Sequence, residues 1–182
     1  ILVGAGTVLN VDQVKRAVDA GAKFIVSPGF NPQVVEYCVK EKIAITPGCS
    51  NQTDIGSALE FGLDVVKFFP SEASGGLKTL KAISAPYSMV KFIPTGGINA
   101  DNLVEYLSFN KVLACGGSWM VKDELIRKGN FEEITRLVRE AVNLMLGFDM
   151  AHIGINAANA QESLEVAKKF SGIFGLPLKE GN

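Results

Sequence analysis

An α/β fold on a parallel sheet is predicted from three features of the chain. Short apolar segments alternate with amphipathic ones, the apolar segments close on Pro or Gly turns, and the composition (182 residues, 47% hydrophobic, 20% charged) is that of a globular chain with one sizeable core. The formal net charge of −1, with no basic cluster, argues against nucleic acid as a partner. No apolar run is long enough to span a bilayer and no signal-like segment opens the chain, so the expectation is a cytoplasmic protein without a membrane partner. Cys38, Cys49 and Cys115 lack CxxC spacing and read as free or buried thiols, not as a disulfide framework or metal cluster.

Six β/α units follow in order. The first has a strand at Ile1 to Gly4 and a helix near Val11 to Ala20, with Val14, Ala17 and Val18 on one face and Gly21 as its stop. Lys23 to Ser27 is the second strand; after Pro28-Gly29, Pro32 sits where proline opens a helix that runs to about Lys40. Lys42 to Thr46 is the third strand, turned by Pro47-Gly48 into a helix from Thr53 to Phe61. The fourth strand is the run Val65-Val66-Lys67-Phe68-Phe69-Pro70, and a helix near Leu77 to Ile83 follows Ser74-Gly75-Gly76. Lys91 to Pro94 and Lys111 to Ala114 are the fifth and sixth strands, with a helix from Asp101 to about Ser108 between them. A helix from Phe131 to Leu146 closes the region, its apolar face set by Ile134, Leu137, Val138, Ala141 and Leu144.

One residue in this series is chemically out of place. Lys67 interrupts the fourth strand, and an ammonium inside a buried strand must find a partner or give up its charge. A desolvated, neutral lysine is the usual source of Schiff-base chemistry on carbonyl substrates, which makes Lys67 a candidate catalytic residue. The alternative is a strand-end lysine whose head reaches water.

Thr95-Gly96-Gly97-Ile98 and Gly116-Gly117-Ser118 follow the fifth and sixth strands. A glycine-rich turn between strand and helix lets backbone N–H groups approach a phosphate. In a TIM (β/α)8 barrel the loops after the seventh and eighth strands frequently build such a site. The expected fold is therefore a TIM barrel of which six units, the third to eighth, are present, in keeping with an opening on Ile1 and not on Met. In a barrel Thr7, Ser27-Pro28, Thr46-Pro47, Lys67, Thr95 and Ser118 would converge at the C-terminal mouth.

The segments Gly4-Ala5-Gly6-Thr7-Val8-Leu9, Phe24-Ile25-Val26-Ser27-Pro28-Gly29, Ile45-Thr46-Pro47-Gly48, Val66-Lys67-Phe68-Phe69-Pro70, Phe92-Ile93-Pro94-Thr95-Gly96-Gly97-Ile98 and Cys115-Gly116-Gly117-Ser118-Trp119-Met120 together resemble the 2-keto-3-deoxy-6-phosphogluconate / 4-hydroxy-2-oxoglutarate aldolase family. The resemblance runs from Ile1 to about Leu146. It implies a class I aldolase in a homotrimeric TIM barrel, with Lys67 as the Schiff-base residue. It further implies Thr7, Pro28, Phe69 and Thr95 as substrate-binding residues and Gly96, Gly97, Gly117 and Ser118 as the phosphate grip. The substrates implied are 2-keto-3-deoxy-6-phosphogluconate, cleaved to pyruvate and glyceraldehyde 3-phosphate, and 4-hydroxy-2-oxoglutarate, cleaved to pyruvate and glyoxylate. Imine chemistry requires no metal and no organic cofactor. The family's acid/base glutamate and its neighbouring arginine have no counterpart after Ile1, so the 182 residues alone are expected to be inactive. Glu72, close to Lys67 in sequence, is read as a loop carboxylate.

The chain is expected to divide into a partial barrel at 1–147 and a partial βαβ segment at 148–182. The tail alternates Ala151, Ile153 and Ile155 against His152, Gly154 and Asn156, then gives a helix from Gln161 to Phe174 and a strand from Leu176 to Glu180. It resembles the start of a glyoxalase / vicinal-oxygen-chelate module, in which a first-strand histidine is often a metal ligand; here His152 is read as a strand-surface residue, and no metal site is assigned. Two other functions remain open: a phosphate-binding barrel enzyme without imine chemistry, of epimerase or synthase type, and a non-catalytic sugar-phosphate-binding subunit.

Overall fold

The computed structural model describes residues 2–147 and 158–175. The chain separates into two compact units, Ile1–Gly147 and Phe148–Asn182. In the first, helices α1 (Val11–Asp19), α2 (Pro32–Lys40), α3 (Gln52–Glu60) and α4 (Gly76–Ser84) alternate with strands β1 (Phe24–Val26), β2 (Ala44–Thr46), β3 (Val65–Phe68) and β4 (Lys91–Pro94). Helices α5 (Leu103–Leu107), α6 (Asp123–Arg127) and α7 (Phe131–Leu146) follow. The described part of the second unit is α8 (Ala160–Phe174). The expected strands at Ala151 to Asn156 and Leu176 to Glu180, and His152 with them, lie outside the described residues. No helix among the described residues is long and apolar enough to cross a membrane.

Among the described residues every pairing is parallel, and neighbours in space are neighbours in sequence. β1 pairs with β2 in the register Ile25↔Ile45, and β3 with β4 in the register Lys67↔Ile93. The two pairs are joined through a bridge between Gly48 and Lys67, where the Lys67 N–H donates to the Pro47 carbonyl at 2.8 Å and the Cys49 N–H to the Lys67 carbonyl at 2.7 Å.

The first and sixth expected strands differ from expectation: each forms only parallel bridges, Ala5 to Ile25 on one side and Val112 to Phe92 with Gly116 to Thr95 on the other. Each has one described neighbour for its backbone groups, and a ladder with one neighbour supports fewer bonds than an interior one.

Helices begin where asparagine supplies the missing acceptor. The side chains of Asn10, Asn31, Asn51, Asn130 and Asn159 accept from the first-turn N–H groups of α1, α2, α3, α7 and α8. The apolar faces then meet the sheet. Ile25 and Ile45 pack with Val14, Val34, Val35 and Cys38, while Val66, Phe68 and Phe92 pack with Ile55, Ala58, Leu80, Ile83, Leu103 and Tyr106. Phe30 and Leu63 touch both clusters and make them continuous. Because strand side chains alternate, the residues between Val66 and Phe68 and beside Phe92 point away from these helices. That opposite face carries Lys67 and Ile93.

Candidate active site

The apolar strand β3 holds Lys67 because its backbone is paired on both sides, with β4 and with the Pro47–Cys49 segment, leaving the side chain no freedom to swing with a loop. Lys67 is 7% exposed. Its Nζ lies 4.2 Å from the centroid of the Phe69 ring, and among the described residues it makes no ion pair. Burial pulls its pKa below the ordinary lysine value, since removing water penalises the ammonium and not the amine. An amine held this way is nucleophilic closer to neutral pH than a surface lysine is.

The parallel register brings the other strand ends to the same side. Gly48, the bridge partner of Lys67, lies flush beneath the Pro28 carbonyl: a Cβ on Gly48 would fall 2.1 Å from that oxygen. Pro28 is half-buried, and Ser27 before it is buried with its hydroxyl donating to the Gly29 carbonyl at 2.9 Å. Thr95 follows β4 and faces Gly116, where a Cβ would lie 2.8 Å from the Thr95 Oγ1. The two Gly-Gly turns are thus adjacent, tied by the Gly116 N–H to the Pro94 carbonyl at 2.9 Å. Gly97 and Ser118 are exposed, and Gly117 is half-buried with the Trp119 ring against its Cα. Thr7 is exposed beside Val8, whose N–H reaches the Val26 carbonyl at 3.1 Å.

Gly96 and Gly97 adopt φ values of +94° and +85°, which side chains rarely tolerate, and they rest on the segment after β3. The Ser71 N–H donates to the Thr95 carbonyl at 2.8 Å and the Glu72 N–H to the Gly96 carbonyl at 3.0 Å. Phe69 and Glu72 fill the space beneath: a Cβ on Gly96 would sit 3.2 Å from the Phe69 ring, and one on Gly97 2.5 Å from Cγ of Glu72. Phe69 therefore touches both the amine and the first Gly-Gly turn.

Two residues joined to this arrangement, Ser71 and Tyr106, escape a reading of the sequence, and Glu72 reads there only as a loop carboxylate. Tyr106, on α5, donates from its hydroxyl to Oε1 of Glu72, and the Ser71 Oγ lies 2.8 Å from the same hydroxyl oxygen. Burial first, then the Glu72 carboxylate, push the Tyr106 pKa up to about 12. The one available signal was an aromatic with a polar tip on a core-facing helix, which needs a partner once buried.

Residues 1–137 match the family described as Aldolase: KDPG and KHG aldolase. A 2-dehydro-3-deoxy-phosphogluconate aldolase of Treponema pallidum (strain Nichols) is 50% identical over 145 residues, 80% of this chain and 69% of that protein. Among solved structures, the 2-keto-3-deoxy-6-phosphogluconate aldolase of Zymomonas mobilis ZM4 with 3-phosphoglycerate superposes with a TM-score of 0.75 at 39% identity, covering 84% of this chain and 70% of that one. The KDPG aldolase of Legionella pneumophila, with pyruvate captured as a covalent carbinolamine intermediate, superposes with a TM-score of 0.73 at 41% identity, covering 80% and 68%. The fold is the TIM-barrel-like α/β fold of these proteins.

Proposed function

Because the chain belongs to the KDPG and KHG aldolase family, we propose that it is a class I aldolase, a carbon–carbon lyase, with Lys67 as its imine-forming residue. Its substrates are 2-keto-3-deoxy-6-phosphogluconate, 4-hydroxy-2-oxoglutarate or both. The observation behind the reading is Lys67 buried within a parallel strand, the one such lysine among the described residues, desolvated and set beside an aromatic ring. A relative in which pyruvate is held as a carbinolamine supports covalent attack by an amine on the 2-keto carbon.

The chemistry then follows from the amine. Neutral Lys67 Nζ adds to C2 of the 2-keto acid, giving a carbinolamine that loses water to a protonated imine. The C3–C4 bond breaks as the C4 hydroxyl gives up its proton; the aldehyde leaves and the bonding pair enters the imine as an enamine. Protonation at C3 and addition of water to the resulting imine release pyruvate and regenerate the amine. Pro28, Phe69 and Thr95 line the carbonyl end of the substrate in this reading, and Thr7 contacts the pyruvyl carboxylate. Gly96, Gly97, Gly117 and Ser118 take the phosphate; 3-phosphoglycerate in the Zymomonas mobilis relative supports a phosphate-accepting site in the family. The six parallel segments are read as six consecutive units of a β/α barrel, supported by their chain-order pairing. A homotrimer is the assembly implied by the family, and a cytoplasmic setting accords with three free thiols.

Release of pyruvate from each substrate by the full-length protein tests the function. Cleavage of at least one, lost in Lys67→Ala, is the expected result; cleavage that persists in Lys67→Ala would overturn it.

A further inference from the structure

We propose that Glu72 and Tyr106 are positioning residues that set the Gly96-Gly97 turn for phosphorylated substrates, and thereby select them over unphosphorylated ones. The proposal rests on the reading of that turn as part of the phosphate grip.

Glu72 is bound to the turn in two ways. Its N–H donates to the Gly96 carbonyl at 3.0 Å, and its side-chain stem occupies the space beside Gly97 where a Cβ would lie, 2.6 Å from Cβ and 2.5 Å from Cγ of Glu72. The stem faces the Cα of Gly97, whose φ is +85°, and Gly97 is itself exposed. The stem stays there only if its carboxylate is held, and Glu72 is otherwise exposed.

Tyr106 supplies the hold. Its ring is 1% exposed in the core, so the hydroxyl is a fixed point and not a mobile one. A hydroxyl has one hydrogen, which goes to Oε1 of Glu72; Ser71, fully buried, therefore donates its own to the tyrosine oxygen. The relay Ser71 to Tyr106 to Glu72 joins the end of the lysine strand to the helix following the Gly-Gly turn. It has a second role through charge. A free carboxylate beside an anion site would repel the phosphate, and the bond to Tyr106 directs the Glu72 carboxylate toward α5 while its stem stays against the turn.

The experiment compares KM and kcat for 2-keto-3-deoxy-6-phosphogluconate and 4-hydroxy-2-oxoglutarate in the full-length protein and three variants of it. Tyr106→Phe and Glu72→Ala should raise KM for the phosphorylated substrate about tenfold or more, with less than about twofold change for the unphosphorylated one. Glu72→Gln keeps the stem and can still accept from Tyr106, so it should restore most of the loss. Equal losses on both substrates, with cooperative thermal unfolding retained, would overturn the proposal by showing a brace for the fold alone; no loss on either would overturn it outright. Borohydride trapping of pyruvate keeps the parent reading separate. Wild-type protein that traps no pyruvate would overturn that reading and this one with it, whereas trapping combined with equal losses overturns this one only.

Discussion

The Nζ of Lys67 lies 4.2 Å from the ring centroid of Phe69, two residues along the same chain, and that ring also rests against Gly96. One aromatic side chain thus keeps water from the amine and props the first Gly-Gly turn. Phe69→Ala should admit water, relieve the desolvation that lowers the lysine pKa, and move the pH profile of imine formation upward. Each unit of upward shift lowers the neutral-amine fraction at neutral pH about tenfold. A profile that moves downward would show that the ring's attraction for the ammonium, and not burial, governs the group.

Stability should carry the same signature. The folded-state pKa of Lys67 is depressed, whereas in the unfolded chain lysine titrates near about 10.4. Between those values the unfolded chain binds the extra proton, so stability rises with pH across that window, and below it the full cost of burying the ammonium is present. Lys67→Met should therefore be more stable than wild type at pH 7, by about 2–4 °C in Tm for each kcal/mol gained. The advantage should shrink as pH approaches 10. A pH-independent difference in urea denaturation would contradict the assignment.

Two glycines should respond to alanine with opposite sign. A Cβ on Gly48 meets the Pro28 carbonyl oxygen at 2.1 Å, a backbone atom that cannot step aside, so Gly48→Ala should cost about 3 kcal/mol or prevent folding. Gly56 lies within α3 with nothing inside 4 Å of its added Cβ, so Gly56→Ala should stabilise by about 0.5–1 kcal/mol. Denaturant midpoints measured side by side check both.

Lys111 caps the end of α4. Its ammonium donates to the Ser84 carbonyl, at the last residue of that helix, and to the Tyr87 carbonyl at 3.0 Å. Lys111→Met should cost about 1–3 kcal/mol, read as a lower denaturation midpoint. A neutral outcome would mean that water replaces the ammonium at no cost.

Much of this arrangement is legible in the sequence because the deciding signals are local. Pro32 sets the start of α2, Lys91 to Pro94 is bounded by its own breakers, and the apolar spacing from Phe131 to Leu146 gives α7 at both ends. The lysine inside an apolar run announces itself for the same reason. What is not legible depends on contacts between distant residues. Glu72 reads as a loop carboxylate, yet it sits in a 3-10 turn (Glu72–Ser74) and meets Tyr106 thirty-four positions away. Gly48 reads as a turn residue, and only the fold shows that the Pro28 carbonyl requires it. Helix α6, five residues with no buried member, has too short an apolar pattern to detect. The segments around Val3 and Val112 carry strand-like composition but form only bridges, because pairing depends on neighbours that composition does not specify.

Imine formation at Lys67 is read out by reductive trapping. The folded protein is incubated with pyruvate and borohydride, digested, and the labelled peptide identified by mass spectrometry. One reduced pyruvyl adduct is expected, on the peptide carrying Lys67, absent in Lys67→Ala and formed faster as pH rises toward the lysine's depressed pKa. An adduct on another lysine, or folded protein that takes up no label, would contradict imine formation at Lys67.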